Sequence, residues 1–270
     1  MIKLFYFIVF ITVIQIAFAQ PIFDPIGAKS WSLGGSSTSE SNVFSCANNM
    51  ASSTEIKSIQ VGIYNQTRFG IKQLNAINSS FIIPKKWFQI GTSINHYGYE
   101  KFNQQNMSLG IAKKLNNNFS LGITLNYISI NIAEQENTGA LAGSLSAFFK
   151  ANKNLQFGLL IFNPTQSKYN INSHGNVITF GRIGVKYLIN KNVFLTADAD
   201  KTLAQTLILR SGINYALHPN FELCLGYANN PNYITFGFST KLKQFDLLFA
   251  SSFQQTLGLT PHLGMVFHGK

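Results

Sequence analysis

The chain predicts an all-β transmembrane barrel: about 14 antiparallel strands, preceded by a polar segment that plugs the lumen. Three observations carry the prediction. Only 11% of the 270 residues are charged, against a usual share of about 25%. Mean hydropathy is nevertheless only +0.09, because Asn, Gln, Ser, Thr and Gly replace the missing charges. Finally, segment after segment alternates apolar residues with small polar ones.

The N-terminus reads as an export signal. Lys3 supplies the positive charge, Leu4 to Ile16 the apolar run, and Ala17-Phe18-Ala19 the small-residue cleavage site. Residues 1–19 are expected to be removed, leaving Gln20 first and sending the chain out of the cytoplasm. Beyond them no apolar run approaches the ~18 residues of a membrane helix. The best, Phe157 to Phe162, is six residues long and contains a glycine.

Residues 20–55 come next, and they include "GAKSWSLGGSSTSESNVFSCANNMAS". This stretch is too polar and Gly-rich for a strand of the series, and too irregular for an amphipathic helix. A 14-strand barrel is wider than its own side chains can fill. The segment is therefore expected to fold back inside. Gly34 and Gly35 would allow tight turning, and Asn48 and Asn49 would hydrogen-bond both wall and plug.

From residue 56 to 270 the alternation sets the barrel. In "FSLGITLNY", Phe119, Leu121, Ile123, Leu125 and Tyr127 face one way, and Ser120, Gly122, Thr124 and Asn126 the other. An apolar face ending in aromatics, opposite a polar face of low charge, is the pattern of a barrel with lipid outside and a polar lumen. Strands are expected near 56–64, 68–83, 87–99, 103–115, 119–133, 138–150, 155–163, 177–189, 193–201, 204–217, 220–229, 232–242, 245–254 and 258–268. Tight turns such as "KLNNNF", "NKN" and "HPN" alternate with longer connections such as "NPTQSKYNINSHGN". With an even strand count both termini fall on the tight-turn side, which in an outer-membrane barrel is periplasmic. Ten lysines (85, 86, 113, 114, 150, 153, 186, 191, 241 and 243) flank those turns and are read as solvating them.

Strand parity selects the candidate site residues. Arg182, Asp198 and Arg210 point inward from neighbouring strands, as an ion cluster that staples the wall, selects ions or orients a substrate. Ile128, Ile130 and Ile132 point inward above Tyr127 and could line an apolar pocket. Cys46 in the plug and Cys224 in the wall could form a disulfide, or remain thiols acting as small apolar residues. Asp246, Ser252 and His262 hold the residue types of a hydrolase triad, but no nucleophile elbow accompanies them, and His262 is expected at the membrane interface. The net charge of +11 comes from scarce Asp and Glu rather than from one basic run, so nucleic acid is not an expected partner. No cofactor or metal pattern is present, and the chain is read as non-enzymatic.

The opening stretch resembles the GAR-x-x-x-MGG…NPAGLA start of FadL-like and PorV/PorQ-like outer-membrane proteins. "GYEKFNQQNMSLGIAKKLNNNFSLGITLNY", "FGRIGVKYLI", "LRSGINYALHPNFELCLGY" and "LGLTPHLGMVF" resemble successive strands of the PorV/PorQ-like members of Bacteroidetes. One departure is Asn48-Asn49-Met50-Ala51, where the family has Asn-Pro-Ala-Gly. The resemblance implies an accessory or scaffold barrel of an outer-membrane machine of the type IX secretion kind, with outer-membrane lipid and a protein as partners. Alternatively it implies a FadL-like conduit for small hydrophobic molecules. Short outer loops and the altered opening motif favour the scaffold.

Overall fold

The computed structural model describes residues 23–135, 137–170, 175–202 and 206–269. The expected leader, 1–19, and Gln20 lie outside them. Fourteen strands close a ring: β1 (Gln60–Thr67), β2 (Asn75–Pro84), β3 (Gln89–Tyr99), β4 (Phe102–Lys114), β5 (Phe119–Ile132), β6 (Thr138–Lys150), β7 (Leu155–Phe162), β8 (Phe180–Leu188), β9 (Val193–Thr202), β10 (Ile208–His218), β11 (Phe221–Ala228), β12 (Tyr233–Leu242), β13 (Phe245–Gln254) and β14 (Gly258–His268). Every strand is antiparallel to its sequence neighbour, and β1 closes on β14 from Gln60↔His268 to Gln66↔His262. Closure leaves no strand edge unpaired, the condition for crossing a bilayer with sheet.

The two faces separate as the alternation predicts. On β5, Leu121, Ile123, Leu125 and Tyr127 are exposed on the outside, while Ser120, Thr124 and Asn126 are buried within. Three tight turns share one construction. Asn116 Oδ1 accepts from the backbone N–H of Asn118 and Phe119, both at 2.9 Å. Asn152 and Asn190 do the same two and three residues downstream, at 2.8 and 2.9 Å. The repeated Asn-x-Asn before a strand is thus a side-chain-closed turn.

Several strands start later than expected: β1 at Gln60 rather than 56, β10 at Ile208 rather than 204, and β2 and β8 for reasons visible in the structure. Residues 68–74 are not the start of β2. They form two 3₁₀ turns, Arg68–Gly70 and Lys72–Leu74, broken by Phe69 at φ 54°. Arg68 is drawn in to pair with Asp24, and the Phe69 N–H donates to Thr260 Oγ1 at 3.0 Å, so side-chain anchoring overrides a β-compatible sequence. Likewise β8 starts at Phe180, because Asn163 Nδ2 holds the Val177 carbonyl at 2.9 Å ahead of it.

Residues 24–55 run inside the ring and are almost wholly buried. They contain two short helices, α1 (Ala28–Ser32) and α2 (Ser45–Asn48), and a 3₁₀ turn, Met50–Glu55. Helix α1 packs on β11 to β14 and α2 on β2 to β4, while the 3₁₀ turn lies on β3 to β6. Phe23 packs on Phe162 and Phe180, which sit at the long-loop ends of β7 and β8. Glu55 reaches Lys114 and Lys150 at the tight-turn end. The segment therefore spans the lumen from one end to the other.

Candidate functional site

The inner segment is held to the wall by hydrogen bonds along its length and by the packing of Trp31, Phe44 and Met50 on Tyr64, Ile82, Tyr233 and Val266. Gly34 and Gly35 have φ 72° and 82°, a region that costs glycine little. Gly34 lies so close to β11 that a Cβ on Gly226 would sit 2.0 Å from its nitrogen. The Gly34 N–H donates to Thr235 Oγ1 at 3.0 Å. Asn48 pairs with the Ile26 backbone twice: Oδ1 accepts from its N–H at 2.9 Å and Nδ2 donates to its carbonyl at 2.8 Å. Asn49 Oδ1 accepts from Ala51 N–H at 3.1 Å, and its Nδ2 donates to Thr38 O at 2.7 Å and to Ala147 O on the wall at 3.1 Å. Asn49 therefore starts the 3₁₀ turn and ties it to β6 without the Pro and Gly of the family motif.

The ion cluster is rearranged from the expected one. Arg182, Asp198 and Arg210 are all buried and inward-facing, and Asp198 stands opposite Arg210 in the ladder. Neither arginine pairs with Asp198. Arg182 Nε donates to Asp200 Oδ1 at 2.7 Å, and Arg210 also pairs with Asp200. Asp198 serves the inner segment instead. It accepts from Ser36 Oγ at 2.8 Å, from the N–H of Ser37 and Thr38 at 2.9 Å each, and from Thr38 Oγ1 at 2.7 Å. Two successive backbone N–H groups aimed at a carboxylate outcompete a guanidinium whose own partner is two residues away on the same face. Asp200 shares the parity of Asp198, so the alternation already contained the signal.

Four of the turn lysines also turn inward rather than solely solvating the turns. Lys114 and Lys150 hold Glu55, Lys186 Nζ lies 3.0 Å from Glu40 Oε1, and Lys241 lies 3.4 Å from Glu222, which also binds Lys29. Burial alone would raise the Glu55 carboxyl, but hydrogen bonds and charge from Lys150 and Lys114 outweigh it and hold it below the usual carboxylate range.

The outer lumen is different. Ile128 is fully buried in an apolar cluster with Leu160, Phe162, Tyr169, Val177 and Phe180; Ile130 packs against it, and Ile132 is half-buried outside it. Opposite, Asn78, Asn95 and Asn106 form a cross-strand row on β2, β3 and β4 that meets Ile128 on β5. Asn78 is satisfied by Ser80 and Ser93. Asn95 and Asn106, only 4% and 8% exposed, carry Oδ1 atoms with no hydrogen-bond partner among the described residues. Both line a cavity of about 20 Å³ whose other walls include Phe23, Phe162, Phe180 and Arg182. That is room for roughly one water. A far larger apolar hollow, about 680 Å³, lies on the outside of the barrel around Ile183 and Leu209, where the short side chains Ala197, Ala199 and Ser211 face the membrane.

The remaining candidates separate cleanly. Cys46 and Cys224 are free and buried, so the possible disulfide is not formed. Cys46 lies against β4, with Sγ 3.9 Å from Ser108 O; Cys224, on β11, contacts Asn214 Oδ1 at 3.1 Å. Burial pushes the Cys46 thiol up to about 12, so it behaves as a small neutral residue. His262 is not interfacial: it is completely buried in the lumen and stacks on Trp31. The Tyr64 hydroxyl donates to Gln66 Oε1 at 3.0 Å. His262 Nδ1–H therefore donates to Tyr64, at 2.8 Å, and Nε2 accepts from Ser252, at 3.0 Å. Asp246 bonds His268 instead, so Asp246, Ser252 and His262 do not assemble as a triad.

No protein-family model matches the chain, and no curated protein matches it. Solved structures do. The Ralstonia pickettii toluene transporter TbuX aligns at 10% identity and TM-score 0.65, over 91% of this chain and 98% of its own. The Pseudomonas putida toluene transporter TodX aligns at 11% and 0.68, over 90% and 96%. A Pseudomonas aeruginosa FadL homologue aligns at 11% and 0.61, over 90% and 96%. Over nine-tenths of its length the chain has the fold of these FadL-like channel proteins.

Proposed function

We propose that the chain is an outer-membrane conduit for small hydrophobic molecules, with residues 23–55 as its lumen plug and both ends of the barrel sequence on the periplasmic side. One observation carries the reading: an apolar wall of Ile128, Leu160, Phe162 and Phe180 faces inward at the long-loop end of the lumen, separate from the apolar cluster in which Trp31, Phe44 and Met50 of the inner segment pack on Tyr64, Ile82, Tyr233 and Val266. An apolar solute entering from outside meets that wall first.

The scaffold reading gives way on two counts. The altered opening motif was one of its two supports, with the short outer loops, yet Asn49 rebuilds the turn and binds the wall. The solved structures sharing the fold include toluene transporters. The outward apolar face, for example Ile123 at 64% exposure, supports a membrane setting with lipid as a partner. A protein partner remains part of the scaffold alternative alone. The test is uptake of radiolabelled toluene by cells expressing the chain, with heat-modifiable gel mobility as the check for a folded barrel. Uptake above that of barrel-free cells is expected; equal uptake with a folded barrel overturns the conduit.

A further inference from the structure

The amide row beside the apolar wall narrows the class of molecule, on the reading that the lumen is a conduit. We propose that the outer lumen binds neutral small molecules that join an aromatic or aliphatic body to a hydroxyl or carboxamide, with the polar group held by Asn95 and Asn106. The two residues are direct cross-strand partners, and both project into the same cavity. Their oxygens are buried with no partner among the described residues and share a cavity with room for about one water, the place a ligand hydroxyl or amide would take. Elsewhere on the inner wall asparagines are paired. Asn78 bonds Ser93 and Ser80, and Asn126 bonds Ser144, Ser108 and the Ala142 carbonyl. Asn126 lines the same cavity but spends its amide on those partners, which leaves Asn95 and Asn106 as the asparagines there with an oxygen to offer.

Charge argues against an anionic or cationic ligand. Arg182 and Arg210 are balanced by Asp198 and Asp200, and Arg68 by Asp24, so the groups around the cavity sum to zero. A carboxylate entering here would be desolvated with no free cation to meet it. A carboxamide side chain, by contrast, offers one acceptor and two donors and suits a hydroxyl or an amide. The apolar body has its place against Phe162 and Phe180, where the Phe23 ring now packs with its centroid 4.8 Å from that of Phe162. Entry of a ring-sized ligand exchanges one ring for another.

The test compares p-cresol with p-xylene, which replaces the hydroxyl by a methyl group of similar size, and with benzoate as the anion. Calorimetric titration of the full mature protein in detergent is the measurement. Leaving a buried amide unpaired on binding is expected to cost p-xylene about 10- to 100-fold in affinity relative to p-cresol. In N95L/N106L that preference should vanish or reverse. If p-xylene binds wild type as tightly as p-cresol, the inference fails and the conduit stands. If benzoate binds most tightly, the neutral-ligand assignment fails. If none of the three binds and toluene uptake is also absent, the conduit reading falls with it. The wild-type ratio needs no variant, so a misfolded double mutant leaves the test intact.

Discussion

Two regions of the lumen differ in what faces the inner segment. From mid-barrel to the tight turns, the inner segment is tied to the wall by polar groups: Asp198 with Ser36, Ser37 and Thr38, Asn49 with Ala147, Glu55 with two lysines. Toward the long loops, an apolar wall stands across a gap from two amides whose oxygens have no partner. Satisfied polar groups hold a structure closed, whereas unsatisfied ones beside an apolar surface are set for something that arrives. On the proposed conduit reading, the tied region holds the inner segment in place and the gap beside the apolar wall is where a solute would be met.

The comparison can be broken first at β9, where two aspartates two residues apart do different work. Asp200→Ala leaves Arg182 and Arg210 buried without the carboxylate both of them bind, and losing one partner of a buried pair typically costs about 3–5 kcal/mol. Denaturant unfolding followed by gel mobility should record that loss as a barrel-wide destabilisation. Asp198→Ala strands the N–H groups of Ser37 and Thr38, a loss of about 2–4 kcal/mol borne by the inner segment. Its expected signature is cleavage between residues 36 and 40 by protease added to the detergent-solubilised barrel, with the strands still protected. If Asp198→Ala instead destabilises the barrel as much as Asp200→Ala, the two carboxylates are not separate in function.

The fold was legible because a lipid outside and a wet lumen inside write a period-two pattern into every strand, and the Asn-x-Asn turns punctuate it. Strand β5 was readable residue by residue. The start of β2 was not: residues 68–74 are β-compatible, and only the Asp24–Arg68 pair, made across a long stretch of chain, pulls them into 3₁₀ turns. The same limit applied to the ion cluster. Parity put Arg182, Asp198 and Arg210 on one face, but which carboxylate each arginine takes depends on where the inner segment places its N–H groups. The inward lysines 114, 150 and 186 were visible by parity too; their acids lie on the inner segment, whose path no periodicity describes.

A smaller effect is expected from acid. Because the Glu55 carboxyl is held below its usual range by Lys150 and Lys114, its contribution is complete above the ordinary carboxyl range. That contribution is lost as pH falls through the lowered value. Proteolytic access to residues 50–59 should therefore rise only in acid, and Glu55→Gln should make it high and flat with pH. The smallest effect sharpens the contrast most. Asn49→Leu removes satisfied bonds to Thr38, Ala51 and Ala147 and should cost about 1–3 kcal/mol. Asn95→Leu removes an unpaired amide and should change stability by less than about 1 kcal/mol, in either direction. Equal losses at the two positions would erase the distinction between the two regions.

The most direct measurement is a crystal structure of the protein soaked with p-bromophenol, located by the anomalous signal of bromine. The account predicts the ring between Phe162 and Phe180 on one side and Asn95 and Asn106 on the other, with the hydroxyl on the amides and residues 28–55 in place. Bromine found only in the outer hollow beside Ala197 and Ala199, or a lumen emptied of residues 28–55, would contradict it.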